Sequence, residues 1–102
     1  MESFNCIDAL KALGEESRLR ILRILLDGEH SVNDLADKIS VNQYNVSKHL
    51  RVLRAAGLVD VAKNGQQRLY GLAAGFRTQL KKNNNILDLG CCQFNFDRIP
   101  ID

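Results

Sequence analysis

Residues 31–72 read SVNDLADKISVNQYNVSKHLRVLRAAGLVDVAKNGQQRLYGL, and the punctuation of this stretch decides the fold. Ser31, with Asp34 three residues on, is a weak form of the capping box. It opens a short helix through about Ile39, with Val32, Leu35, Ala36 and Ile39 facing inward. Ser40-Val41-Asn42 is a tight connection, and Asn42 is a good N-cap for a second helix over residues 43–56. Gly57 follows that helix, where a left-handed position favours glycine. Residues 58–63 and 66–72 are rich in strand formers and flank Asn64-Gly65, a strong two-residue hairpin signal. Two short helices about three residues apart, followed by a hairpin, are the order of a winged helix-turn-helix.

Outside this stretch, Phe4, Ile7, Leu10 and Leu13 recur at helical spacing and predict a helix over residues 4–13. Residues 15–27 carry Leu19, Leu22, Leu25 and Leu26, widened by Ile21 and Ile24, and Asp27-Gly28 ends them. Residues 73–82 form a last helix. Ile86-Leu87-Asp88-Leu89 and Cys92-Gln93-Phe94-Asn95-Phe96 both suggest extended structure, interrupted at Gly90, and predict a C-terminal strand over residues 86–96. The expected fold class is α+β, mostly α: a winged helix-turn-helix with a two-stranded wing and an extended C-terminal segment, in a single domain over residues 1–102.

The net charge of +2 conceals an uneven distribution. Residues 42–82 carry eight basic side chains and a single acid, Asp60, whereas acids outnumber bases on both sides. A basic middle between acidic ends points to a surface for a polyanion. No run approaches the ~18 apolar residues that a membrane span requires, and Met1 to Cys6 do not read as a signal peptide. A cytoplasmic location is therefore expected, without membrane association. The two histidines have no paired catalytic carboxylate, and no nucleophilic triad or metal constellation is visible, so an enzyme is not expected.

A rotation of about 100° per residue places Val46, Leu50 and Leu53 on the inner face of the second helix of the motif. Gln43, Tyr44, Ser47, Lys48 and Arg51 then lie outward, with Asn45 at a flank and His49 near the inner boundary. This chemistry suits duplex DNA in the major groove. Gln and Asn can read adenine edges, and Arg and Lys can read guanine or hold phosphate. His49 fits either a phosphate contact or a helix–helix contact. The hairpin tip adds Lys63, Gln66, Gln67 and Arg68, which suit the sugar–phosphate backbone of a neighbouring groove. The rival reading is a protein-docking module, but such a surface usually needs an apolar anchor, and only Tyr44 qualifies.

The run from Leu10 to Leu22, the element Val46-Ser47-Lys48-His49-Leu50-Arg51-Val52-Leu53 with its trailing Gly57-Leu58-Val59, and the wing ending Gln67-Arg68-Leu69-Tyr70-Gly71-Leu72 together resemble the ArsR/SmtB (arsenic-repressor-like) bacterial regulators. The resemblance covers roughly residues 7–80. It implies a homodimer, and repression relieved by an inducer; two reading helices about one duplex turn apart in such a dimer favour a short inverted repeat of duplex DNA. It also implies an interface built from the first and last helices, with Phe4, Ile7, Leu10, Phe76 and Leu80 as dimer-core candidates. The intramolecular core is the alternative for each of them. Two family sensor sites are missing: Ser31 and Asn33 stand where thiolate-sensing members carry paired cysteines, and residues 73–82 hold neither the histidines nor the carboxylates of the zinc sensors.

Cys6, Cys91 and Cys92 are the remaining sensor candidates. No cofactor is required, but three thiolates suit As(III) or another thiophilic species. Redox or reactive-sulfur chemistry at a low-pKa thiol is a second reading. The third is packing beside Phe94 and Phe96, with no metal or thiol sensing at all. Adjacent cysteines in a regular strand point to opposite faces, which opposes a shared site unless Gly90 breaks the strand. Ile86-Leu87-Asp88-Leu89-Gly90-Cys91 also resembles the start of a methyltransferase nucleotide loop, but Cys92 replaces the second glycine that loop needs.

Overall fold

The N-caps anticipated at Ser31 and Asn42 form as hydrogen bonds, and the structure adds one at Glu15. A computed structural model describes residues 6–100. Glu15 caps α2 (Glu16–Leu25), its carboxylate accepting from the Arg18 amide at 3.1 Å. Ser31 Oγ accepts from the Asp34 amide at 3.2 Å and starts α3 (Val32–Ile39). Asn42 Oδ1 accepts from the Asn45 amide at 2.8 Å and starts α4 (Gln43–Ala55). At the other end of α4, Gly57 takes φ +79°. Its amide reaches the Arg54 carbonyl, while the Leu58 amide reaches the Leu53 carbonyl, both at 3.0 Å. That paired pattern satisfies the last carbonyls of the helix and turns the chain into the wing. Helix α1 (Cys6–Leu13) precedes these elements; Phe4, a dimer-core candidate, lies outside the described residues.

The wing is an antiparallel pair, β1 (Val59–Asn64) with β2 (Gln67–Leu72), in register Val59↔Leu72 through Asn64↔Gln67. The two-residue loop is therefore Gly65-Gln66, one position later than the Asn64-Gly65 turn expected from the sequence. Gly65 has φ +67° at the first loop position, the requirement of a type II′ turn. His30 adds a one-residue third strand: its amide and carbonyl exchange hydrogen bonds with Tyr70 at 2.9 and 2.8 Å.

The core is a single cluster. Ile21, Leu22, Ile24 and Leu25 of α2 meet Leu35 and Ile39 of α3 and Val46, Leu50 and Leu53 of α4, all at most 3% exposed. Helix α5 (Ala74–Lys82) buries Phe76 and Leu80 in the same cluster. These two dimer-core candidates thus belong to the intramolecular core. Phe76 meets Phe96 edge to face, with ring centroids 6.1 Å apart. Ile7 and Leu10, by contrast, are 58% and 38% exposed on α1.

The C-terminal segment is not one strand. Asn84 and Asn85, at φ 55° and 62°, stop α5, and the chain forms a second hairpin, β3 (Ile86–Asp88) against β4 (Gln93–Asn95). Gly90, at φ +87°, lies in its turn, and the Asp88 carboxylate holds that turn by accepting from the Gly90 amide at 2.8 Å and from Gln93 Nε2 at 3.2 Å. A 3-10 turn, Phe96–Arg98, follows and carries Phe96 into the core. An antiparallel partner follows β3 directly, so the segment is not the strand–loop–helix of a nucleotide site. Among the described residues no helix is long and apolar enough to cross a membrane.

The caps allow a direct check on the α3–α4 connection. Asn42→Ala should lower the unfolding free energy by ~1 kcal/mol, read as an earlier urea midpoint at unchanged slope. An unaltered midpoint would show that α4 does not depend on this cap.

Candidate nucleic-acid interface

Because Val46, Leu50 and Leu53 are fully buried, the opposite face of α4 is held outward. Gln43, Tyr44, Asn45, Ser47, Lys48 and Arg51 are all exposed. Tyr44 is 73% exposed and lies under Lys48, whose Nζ is 5.4 Å from the ring centroid. This contact steadies both side chains without neutralising the cation. On the wing, Lys63, Gln66, Gln67 and Arg68 are exposed. Lys63 stands directly across from Arg68 in the strand register. Like charges in that position repel, and a polyanion would relieve the repulsion. Arg54, which the sequence reading left out, lines a cleft with Val61, Lys63 and Arg68 and joins the helix cations to the wing cations. Its signal was the i, i+3 spacing from Arg51.

Among the described residues two arginine–carboxylate ion pairs form, Arg20–Glu16 and Arg23–Asp27, and His49 Nδ1 lies 3.6 Å from the Glu15 carboxylate. None of these contacts uses Lys48, Arg51, Arg54, Lys63 or Arg68, so no acid among the described residues pairs with the positive face.

His49 does not join the outward set. Its side chain is 20% exposed, and Nδ1 lies 3.2 Å from an Arg18 guanidinium nitrogen and 3.6 Å from the Glu15 carboxylate. Of its two sequence readings, the helix–helix contact is the one seen here.

The cysteines come together across the chain. Cys6, at the start of α1, is disulfide-bonded to Cys91 in the turn between β3 and β4, with Cα atoms 6.4 Å apart. Cys92 is a free, half-buried thiol whose sulfur lies 4.0 Å from that of Cys91. The turn at Gly90 breaks the alternation that would have sent the adjacent sulfurs to opposite faces. Cys91 is exposed, so packing beside the phenylalanines does not account for it. Among the described residues no group of three His, Cys, Asp or Glu side chains is arranged to hold a metal ion.

Residues 15–61, which contain α2, α3, α4 and the start of the wing, match the family of bacterial regulatory proteins named for arsR. The chain is 38% identical over 93 residues to the transcriptional activator HlyU of Vibrio cholerae, covering 91% of this chain and 83% of that protein. The chain belongs to the ArsR family. A biofilm growth-associated repressor from Xylella fastidiosa is 34% identical over 84 residues, covering 82% of this chain and 72% of the relative. A homodimeric winged helix-turn-helix DNA-binding domain from Mycobacterium bovis superposes with a TM-score of 0.68 at 29% identity, covering 76% of this chain and 72% of that one. This ArsR-family chain is a transcriptional regulator with the winged helix-turn-helix fold.

Proposed function

We propose that the chain acts as a homodimeric, cytoplasmic, non-enzymatic repressor that reads a short inverted repeat of duplex DNA with α4 and the wing. The observation that carries this reading is the run of exposed, unpaired cations from Lys48 to Arg68 around an outward polar helix face. Two such faces in a dimer, spaced about one duplex turn apart, favour a two-fold symmetric site. The exposed Ile7 and Leu10 of α1 supply apolar surface for the second copy.

The effector-responsive element in this proposal is Cys6, Cys91 and Cys92. A reducing compartment keeps thiols reduced at rest. On exposure to a hydroperoxide, the Cys6 and Cys91 thiols lose two protons and two electrons and form the S–S bond, while the peroxide leaves as water and an alcohol. As(III), which favours thiolates, would instead bridge the reduced sulfurs. Either event would release DNA. The test is anisotropy of a labelled duplex from the gene's own upstream region. Reduced protein should bind tightly, and salt should weaken that binding. Arsenite or disulfide formation should weaken it further, and Cys91→Ser should abolish both responses. Binding that ignores arsenite and peroxide alike would leave a DNA-binding regulator without thiol sensing. Absence of binding to any duplex would favour a protein-docking module.

A further inference from the structure

Helix α1 is fastened at both ends. At its start, Cys6 is bonded to Cys91. At its finish stands Arg18 of α2, half-buried, whose guanidinium makes three contacts. Nε donates to the Ala12 carbonyl at 2.6 Å, a terminal nitrogen donates to the Lys11 carbonyl at 3.2 Å, and the other terminal nitrogen meets His49 Nδ1 at 3.2 Å. The two carbonyls belong to the last turn of α1, where no intrahelical amide reaches them, and a cation is favoured there. With the guanidinium as donor, His49 Nδ1 accepts. His49 lies on α4 between Lys48 and Arg51 in sequence, one side chain from the outward cations.

We infer that Arg18 is the positioning residue that ties the recognition helix to the thiol pair, with α1 as a strut between them. This inference rests on the DNA-binding and thiol reading above and names its transmission route. The strut is eight residues, so about 12 Å long at 1.5 Å per residue. Two hydrogen bonds from one rigid planar fork hold the end of α1 while a third reaches His49, a division of contacts that a single point charge would not fix. Glu15 completes the joint: its carboxylate caps α2 on the Arg18 amide and approaches His49 at 3.6 Å. Reduction by a dithiol cleaves the Cys6–Cys91 bond, leaves two protein thiols and converts the dithiol to its disulfide. The start of α1 is then no longer bonded to the turn between β3 and β4, and its end pulls differently on Arg18 and on His49.

The experiment compares the oxidised and dithiothreitol-reduced full chain in two readouts, for wild type, Arg18→Gln and Arg18→Lys. The first readout needs no DNA: the NMR signals of the His49 ring and the amide exchange of α4. Reduction should shift the ring signals and change α4 exchange in wild type and leave both still in Arg18→Gln. Arg18→Lys, which keeps the charge and loses the fork, should behave like Arg18→Gln. The second is the ratio of duplex affinities in the two redox states, expected to be roughly 5-fold or more in wild type and about one in both variants. A wild-type His49 and α4 that ignore reduction would overturn the inference, as would variants that retain the full redox ratio. If the variants fail to fold, the wild-type NMR comparison still decides. A chain whose His49 responds to reduction but which binds no duplex would support the strut and sink the DNA reading instead.

Discussion

Replacing Lys48 and Arg51 together by alanine should weaken duplex binding by roughly 100-fold while leaving the fold intact. Both side chains are exposed on α4, and among the described residues neither is held by an acid. Each charge-assisted contact to phosphate or a guanine edge is worth about 1–3 kcal/mol, and two of them together reach that factor. The salt dependence supplies a second, independent reading. Each phosphate contact adds about 0.9 to the slope of log affinity against log salt. If both residues hold phosphate, the slope should fall by about 2. If Arg51 reads a base, the slope should fall by about 1, and preference at one position of the site should relax. Titrations at two or three salt concentrations, with a thermal melt as the folding control, make the check. An unchanged affinity and slope would remove α4 from the interface.

Phe76→Ala should cost about 3–5 kcal/mol of stability. Phe76 has no exposed surface and packs edge to face on Phe96, so alanine opens a cavity between α5 and the C-terminal hairpin. A domain of this size has only about 5–15 kcal/mol in total. Each kcal/mol lost lowers Tm by about 4–8 °C, so the melt should fall by well over 10 °C. Leu10→Ala, on the exposed face of α1, is the useful contrast. It should leave the isolated fold nearly unchanged and weaken association. If Phe76→Ala melted like the parent protein while promoting dissociation, Phe76 would belong to the dimer interface after all.

Much of the reading unit was legible in the residues. Ser31, Asn42 and Gly57 mark helix ends because capping is a contact between near neighbours, made within three or four residues of chain. The inward set Val46, Leu50 and Leu53 follows from helical periodicity, and so does the outward set. The hairpin was placed correctly, but its turn lies one position later than expected. Asn64-Gly65 and Gly65-Gln66 both satisfy a two-residue turn, and the pairing of β1 with β2, ending at Asn64↔Gln67, uses the second. The C-terminal segment misled more. Its apolar pattern suits a strand, and Gly90 was visible as an interruption, but nothing local said that the chain reverses there and pairs with itself. Arg54 was missed for a similar reason: its cleft neighbours Lys63 and Arg68 come from the two strands of the wing.

His49 and the cysteines mark the boundary. From the helical wheel, His49 sat at the edge of the inner face, and either side was open to it. The guanidinium of Arg18, 31 residues away in sequence, decides the matter by offering a donor at 3.2 Å. Cys6 and Cys91 are 85 residues apart, and no pattern of three cysteines specifies a pairing. The sequence by itself determined the helix ends, the buried stripe, the wing and the outward positive face, because caps, periodicity and turn chemistry act within a few residues. Only the tertiary structure decided which residues lock α1, where His49 points and that Phe76 belongs to the core. Those outcomes depend on distant segments meeting in space, and side-chain packing and backbone reversal settle them together.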